Sequence, residues 1–167
     1  MCIRDRFTFS VENWDRPTSE VDTLMGLLVQ TLKDEFEDMF KNNIKLNAIG
    51  DLDSLPNEVR EELYTIIENT KGNTGMTLTL ALSYGGKQEI FKAVKEISEK
   101  VKNDIICLDN FDDSVINDHL YTCDLPDVDL LIRTSGEKRI SNFLLWQIAY
   151  AELYLSLIHI SEPTRPY

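Results

Sequence analysis

Apolar residues recur along much of the chain with the spacing of helices or of strands. Over residues 21–40 they return every three or four positions, which predicts an amphipathic helix from about residue 18 to residue 41. Residues 76–82 instead alternate apolar and small residues, which is the period of a strand. Residues 128–132 form a short, nearly all-apolar run, typical of a strand that is buried on both faces.

Turn residues and helix-start signals divide the rest of the chain. Residues 7–10 and 44–49 are predicted strands, and Pro56 suits the first turn of a helix that runs to about residue 69. Gly85 and Gly86 open a further helix. Weaker patterns predict helices over residues 114–120 and 142–150. This alternation favours an α/β fold, with a mostly parallel central sheet and helices on both faces.

Composition narrows the class of protein. The 167 residues are 43% hydrophobic and 28% charged, which suits one soluble domain with a core. No apolar run is long enough to span a bilayer, no signal peptide is visible, and three cysteines are too few for a disulfide framework. We therefore expect a cytoplasmic protein. A net charge of -12 argues against nucleic-acid binding but permits an anionic small substrate held by a few arginines.

Both ends of the chain resemble translated laboratory sequence. Residues 1–6 can be back-translated into the end of a transposase adapter that is used in sequencing libraries. Residues 155–165 can be back-translated from the reverse complement of the same adapter. We therefore expect residues 1–6 and 155–167 to be artefacts, and residues 7–154 to be the biological domain.

Two polar clusters follow predicted strands, where open α/β sheets collect their ligands. The first spans residues 10–16, and the second spans residues 133–141 and contains Arg133, Lys138 and Arg139. Guanidinium groups, hydroxyls and the N–H groups of a following helix are ligands for a diphosphate. On residue types alone, pairing of these arginines with the many surface carboxylates is an equally good interpretation.

Two motifs decide between these interpretations by resemblance. Residues 9–17 read F-S-V-E-N-W-D-R-P, and residues 129–147 read D-L-L-I-R-T-S-G-E-K-R-I-S-N-F-L-L-W-Q. Both resemble motifs of the cis-prenyltransferases of the undecaprenyl diphosphate synthase type, and the similarity covers essentially all of residues 7–154. The family condenses isopentenyl diphosphate onto an allylic diphosphate, such as farnesyl diphosphate, and makes each new double bond cis. Its product is a lipid carrier precursor for cell-wall synthesis.

The resemblance implies a role for each matching residue. Asn13 matches a catalytic position proposed as proton acceptor, although a neutral amide is a poor base and is expected to position the acceptor instead. Glu152 matches a ligand of Mg²⁺, a cation that prefers oxygen ligands. The implied substrate-binding residues are Ser10, Val11, Glu12, Trp14 and Arg16 in a mobile loop, and Arg133, Arg139, Ile140 and Ser141 around the isopentenyl diphosphate.

The resemblance also implies a setting for the site. Members of the family contain a hydrophobic tunnel for the growing prenyl chain. They also form homodimers and contact the membrane peripherally. The family's first strand, with the motif D-G-N-G-R-W and its metal-binding aspartate, is absent here, as are the last strand and the carboxyl-terminal helices. We therefore expect an incomplete fold and an inactive chain. Ser83 also replaces a common asparagine. The alternatives are a non-catalytic accessory subunit of a heteromeric cis-prenyltransferase and an α/β domain that binds some other phosphorylated ligand.

Overall fold

The computed structural model describes residues 3–134 and 136–155, with the side chains of Ile3 and Asn110 excepted. The predictions for Ser135, for residues 1–2 and for residues 156–167 lie outside this part of the chain. Contacts divide the chain into two compact units, residues 1–85 and residues 86–167. Among the described residues, no helix combines the length and the apolar character that crossing a membrane requires.

The first unit is built on a three-stranded parallel sheet. Its strands are β1 (Ile3–Ser10), β2 (Lys45–Ile49) and β3 (Thr77–Tyr84), in the spatial order β1-β3-β2. Parallel pairing brings the carboxyl ends of all three strands to one edge of the sheet. Short 3₁₀ turns follow two of these ends, at Val11–Asp15 and at Leu52–Ser54.

Two helices cover one face of this sheet. α1 is Thr18–Lys41 and α2 is Asn57–Thr70, and both bury residues at helical spacing. At the end of α2, the Thr70 hydroxyl accepts a hydrogen bond from the backbone N–H of Leu46, with 3.0 Å between nitrogen and oxygen. The buried core shared by the sheet and the two helices consists of Phe9, Val21, Met25, Val29, Leu32, Met39, Leu46, Leu55, Val59, Leu63, Ile66, Leu80 and Leu82.

A register shift in β1 directs neighbouring aromatic residues to different faces of the sheet. Phe7 lies opposite Ala81, but Phe9 lies opposite Leu82, so one residue of β1 is left over between them. Phe9 therefore enters the core under α1 and α2, where it is 4% exposed. Asp5 lies opposite Thr79, on the face away from that core.

Asp5 occupies an unfavourable position on this second face. Its Oδ1 and the Thr79 Oγ1 are both buried, and neither has a hydrogen-bond partner within the described residues. Burial raises the pKa of the Asp5 carboxyl above its ordinary value of 3.8, because desolvation disfavours the ionised form. A half-buried carboxylate here opposes the folding of the first unit at neutral pH.

Gly50 permits a close approach between the ends of β2 and β3. It has a φ of +118°, and a Cβ placed on it would lie 2.0 Å from the carbonyl oxygen of Leu82. The left-handed backbone and the missing side chain are therefore both required at this position.

The second unit contains two helices and a two-stranded parallel ribbon. α3 is Gly86–Lys102 and α4 is Asp113–Asn117, with a 3₁₀ turn at Leu108–Asn110 between them. The ribbon pairs β4 (Leu130–Arg133) with β5 (Glu152–Leu155). α3 buries Glu89, Ala93 and Ile97 along one stripe, whereas the apolar residues Phe91 and Val94 of the same helix are exposed.

The α/β class and the parallel pairing of the strands are confirmed. The helix predicted over residues 142–150 is wrong, because this segment forms a series of turns in which Asn142 and Leu144 have φ of 62° and 48°. Two left-handed residues so close together interrupt an α-helix. The strand predicted over residues 128–132 begins at Leu130 and is not buried on both faces, since Leu130 and Ile132 are about half exposed.

We expect Asp5→Asn to stabilise the first unit at pH 7 by about 0.5–1 kcal/mol, since the side chain is only half buried and solvent screens part of the charge. The raised pKa means that the penalty applies when the folded carboxyl is ionised. The gain therefore shrinks as the pH falls through the folded pKa and vanishes below the unfolded value of 3.8. Urea unfolding of the wild type and of Asp5→Asn between pH 3 and pH 7 measures this difference in the free energy of unfolding. Asp15→Asn, at an exposed position, is the control, and equal pH profiles for the two variants would contradict the expectation.

Two glycine substitutions should act in opposite directions. Gly50→Ala forces a Cβ against the Leu82 carbonyl and should destabilise the protein by about 3 kcal/mol or more. Gly26 lies inside α1, and a Cβ added to it would meet nothing within 4 Å, so Gly26→Ala should stabilise by about 0.5–1 kcal/mol. Urea midpoints of the two variants check both signs, and an unchanged midpoint for Gly50→Ala would refute the steric explanation.

Candidate functional site

The turn after β1 is closed by hydrogen bonds between its first residue and Asn13. The backbone N–H and the hydroxyl of Ser10 both donate to Asn13 Oδ1, at 2.8 and 3.1 Å. The backbone N–H of Arg16 then donates to the Asn13 carbonyl oxygen at 3.2 Å. The predicted catalytic amide is therefore held by its oxygen, inside the 3₁₀ turn Val11–Asp15.

The rest of this turn is fixed by one aromatic side chain and one ion pair. Trp14 packs edge-on against Phe9, with 4.9 Å between ring centroids, and its indole Nε1–H donates to Ser83 Oγ at 2.9 Å. The guanidinium of Arg16 pairs with Glu20 in the first turn of α1. Val11 is partly buried and Glu12 is exposed. The first unit thus gathers Ser10, Val11, Glu12, Asn13, Trp14 and Arg16 at the carboxyl end of β1.

The second cluster lies at the carboxyl end of β4, in the second unit. One guanidinium nitrogen of Arg133 donates to the carbonyl oxygen of Arg139 at 2.6 Å and to Ser141 Oγ at 2.5 Å. Arg139 itself pairs with Glu137, with 2.8 Å between the charged atoms. Ile140 is partly buried between these residues. The structure therefore brings together four of the residues predicted to bind a diphosphate.

This loop caps helix α3. The backbone N–H of Gly86 donates to the Asn142 carbonyl oxygen at 2.7 Å, and that of Lys87 donates to Asn142 Oδ1 at 2.8 Å. These contacts satisfy two of the N–H groups that a helix leaves open at its start. The prediction of a helix start directly after residue 141, with open N–H groups for an anion, is wrong, because turns follow there.

A network of buried hydrogen bonds around Glu89 of α3 also holds the segment that contains Gln147. Glu89 is 1% exposed, and its carboxylate accepts hydrogen bonds from the backbone N–H of Tyr121 at 2.8 Å and from Gln147 Nε2 at 3.0 Å. Gln147 Nε2 also donates to Thr122 Oγ1 at 2.9 Å. These bonds connect α3 with two irregular segments that contain no regular backbone pairing.

Glu152 lies apart from the arginine cluster along the β4–β5 ribbon. The register pairs Glu152 with Leu130, three residues before Arg133, which corresponds to about 10 Å along the strands. The Glu152 side chain is exposed. Among the described residues, no three acidic, histidine or cysteine side chains meet in one place, so the residues present supply at most part of a metal site. Binding of Mg²⁺ by Glu152 stays a prediction.

Comparison with known proteins assigns these elements to a family. A family profile described as "Putative undecaprenyl diphosphate synthase" matches residues 5–162. The chain belongs to this family of prenyltransferases.

Relatives within the prenyltransferase family resemble the chain closely over most of its length. The isoprenyl transferase of Clostridium perfringens is 46% identical over 153 residues, which cover 92% of this chain and 60% of the relative. The ditrans,polycis-undecaprenyl-diphosphate synthase ((2E,6E)-farnesyl-diphosphate specific) of Haemophilus influenzae is 48% identical over 150 residues, which cover 90% of this chain and 63% of the relative. The chain thus spans about 60% of the length of these curated relatives.

A solved structure in the prenyltransferase family shows the same fold. Lavandulyl diphosphate synthase from Lavandula x intermedia, in complex with dimethylallyl diphosphate, superimposes with a TM-score of 0.90 at 32% sequence identity. The superposition covers 95% of this chain and 69% of that one. The α/β fold predicted from the alternation of strands and helices is therefore that of a prenyltransferase.

Sequence reasoning missed three residues that organise the two clusters. The motifs present Ser83 only as a replacement for asparagine and Asn142 only as one letter of a longer match, and they do not include Glu89. A signal for Glu89 was present, because it occupies the same helical stripe as Ala93 and Ile97. A charged residue on an apolar stripe indicates a buried polar partner.

Glu89→Ala should destabilise the second unit by about 2–4 kcal/mol, since it removes from a buried site the carboxylate that accepts hydrogen bonds from the Tyr121 N–H and from Gln147 Nε2. Amide hydrogen exchange across residues 86–155 is the measurement. Glu99→Ala, on the exposed side of the same helix, is the matched control and should change stability by less than about 0.5 kcal/mol. Equal effects of the two substitutions would show that the network contributes nothing.

Proposed function

We propose that the protein of which this chain is a part elongates cis-prenyl chains. It condenses isopentenyl diphosphate onto an allylic diphosphate such as farnesyl diphosphate and forms undecaprenyl diphosphate, the lipid carrier precursor for cell-wall synthesis. Relatives named isoprenyl transferase and undecaprenyl-diphosphate synthase, at 46% and 48% identity, support this reaction. The proposal covers the whole protein and not the 167-residue chain by itself.

One contact carries the assignment of the binding site. Arg133 holds Ser141 Oγ at 2.5 Å and the Arg139 carbonyl oxygen at 2.6 Å, so two side chains that match diphosphate ligands are already adjacent. A guanidinium group offers five N–H donors and keeps its charge at all accessible pH values. Arg133, Arg139 and Ser141 would hold the isopentenyl diphosphate, with Ile140 packed between them.

Asn13 has a positioning task in this proposal. Its Oδ1 already accepts two hydrogen bonds from Ser10, and an amide is too weak a base to take a proton at neutral pH. Asn13 would therefore orient the group that accepts the proton lost from isopentenyl diphosphate. Ser10, Val11, Glu12, Trp14 and Arg16 would form the loop over the substrates.

Mg²⁺ is the proposed cofactor, and Glu152 is the described residue that would contribute a ligand to it. When bound, the ion would supply positive charge that neutralises the charge developing on the departing allylic diphosphate. The metal-binding aspartate that the resemblance implies belongs to the motif D-G-N-G-R-W, which this sequence does not contain, so the exposed Glu152 carboxylate would have to hold the ion without it. We therefore propose that the isolated chain does not turn over substrate.

The proposal includes the setting in which the whole protein works. We expect a homodimer in the cytoplasm, in peripheral contact with the membrane that receives the product, and a hydrophobic tunnel for the growing chain. The family resemblance supports each of these points.

We also propose that residues 1–6 and 155–167 come from a sequencing adapter. The half-buried Asp5 carboxylate, whose buried Oδ1 lacks a hydrogen-bond partner within the described residues, supports this origin, because strands of a sheet seldom place an acid on a covered face. Sequencing the source DNA across both ends tests it. Natural codons that encode the same residues would refute it.

A chimaera tests the reaction. Residues 7–154 replace the corresponding segment of the Clostridium perfringens isoprenyl transferase, and elongation of farnesyl diphosphate by labelled isopentenyl diphosphate is followed. We expect activity, and we expect Arg133→Ala to lower kcat/KM for isopentenyl diphosphate by about 10- to 100-fold, the effect of losing charge-assisted hydrogen bonds.

The matched control in the chimaera is Arg60→Ala. Arg60 is also a partly buried arginine, but it pairs with Asp53 and Asn57 around the start of α2. It should leave kcat/KM within about twofold of the parent. An inactive chimaera, or equal losses from the two arginine substitutions, would contradict the proposed function.

A further inference from the structure

Ser83 occupies a demanding position at the carboxyl end of β3. It is 3% exposed and has a φ of 47°, a left-handed conformation that is unfavourable for most residues other than glycine, asparagine and aspartate. A strained, buried residue at the ligand edge of a parallel sheet requires a compensating interaction.

The hydroxyl of Ser83 lies in a row of polar atoms that joins three strand ends. Trp14 Nε1, in the turn after β1, lies 2.9 Å from Ser83 Oγ. Ser54 Oγ, in the turn after β2, lies 2.8 Å from Ser83 Oγ on its other side. Ser54 Oγ also lies 2.6 Å from the carbonyl oxygen of Asp51.

Counting protons fixes the direction of these hydrogen bonds. An indole N–H can only donate, a carbonyl oxygen can only accept, and each serine hydroxyl has one proton to give. Ser54 must donate to Asp51, because that oxygen has no proton. Ser83 must then donate to Ser54, and Trp14 donates to Ser83. Each hydroxyl in the row accepts one bond and donates one, and such chains strengthen their members.

We propose that Ser83 is a positioning residue for the turn that carries Asn13. The donor chain from Trp14 through Ser83 and Ser54 to Asp51 fixes the indole, and the indole fixes the turn through its ring contact with Phe9. The ends of β1, β3 and β2 are thereby connected by side chains beyond the last backbone pairs. This inference concerns how the turn is held, so it stands or fails independently of the proposed reaction.

The experiment measures hydrogen exchange of the Trp14 indole N–H in the full 167-residue chain by ¹⁵N-edited NMR. The sequence contains two tryptophans, so Trp146→Phe assigns both indole signals. Trp146 is an internal reference, because its Nε1 donates to Asn117 Oδ1 at 2.8 Å in the second unit. No substrate is needed.

Ser83→Ala removes the acceptor of the Trp14 N–H and should accelerate its exchange about tenfold, with the Trp146 signal unchanged. Ser83→Asn should restore slow exchange, because asparagine tolerates the left-handed backbone and offers an amide oxygen. Ser83→Gly removes the strain of the left-handed backbone but supplies no acceptor. The Trp14 N–H should therefore exchange as fast in Ser83→Gly as in Ser83→Ala. A merely structural role for Ser83 would make the glycine variant resemble the wild type.

Ser54→Ala provides a second route if Ser83→Ala unfolds the chain, which would show as faster exchange of both indoles. It keeps the Ser83 hydroxyl but removes the group to which that hydroxyl donates. Selective acceleration of the Trp14 indole, by about twofold or more, supports the donor chain. Unchanged Trp14 exchange in Ser54→Ala, or in a folded Ser83→Ala, overturns it.

Discussion

Strand β3 forms backbone hydrogen bonds along both of its edges, and the first unit depends on this double pairing. β3 lies between β1 and β2 and pairs with each of them, since the spatial order is β1-β3-β2. Because both pairings are parallel, the chain leaves all three strands at the same edge. The residues at the ends of the strands and in the turns after them must therefore share a small volume, and Ser83, Trp14 and Ser54 meet there for that reason.

Hydrogen bonds act together with apolar packing to determine the shape of the turn at residues 11–15 and of the segment after residue 141. Trp14 is fixed by a donor chain through the buried Ser83 hydroxyl and the exposed Ser54 hydroxyl, and the segment that contains Gln147 is fixed by the buried Glu89 carboxylate. A buried polar group that loses its partner is penalised by its full desolvation free energy, so few alternative loop conformations are accessible. The core beneath α1 and α2 could be repacked with other apolar residues, whereas these loops tolerate far fewer changes.

The regular elements could be predicted from the sequence because their signals are local. The helix predicted over residues 18–41 is α1 itself, and the strand predicted over residues 76–82 lies mostly within β3. The segment over residues 142–150 could not be predicted, because its composition is helical while its left-handed residues are dictated by the capping of α3. The pairing of Ser83 with Trp14 spans 69 residues, a distance over which periodicity carries no information. Resemblance identified Arg133 and Ser141, and the structure supplied their contact.

The hydrogen bonds of Arg133 and Asn142 have a consequence for association with any anion at that loop. The guanidinium already has a fixed orientation, and the backbone beyond it is attached to the first turn of α3. Folding has therefore removed most of the rotational freedom that a ligand would otherwise have to remove on docking. A preorganised loop of this kind loses little conformational entropy in the encounter, so more of the attraction between opposite charges remains as affinity.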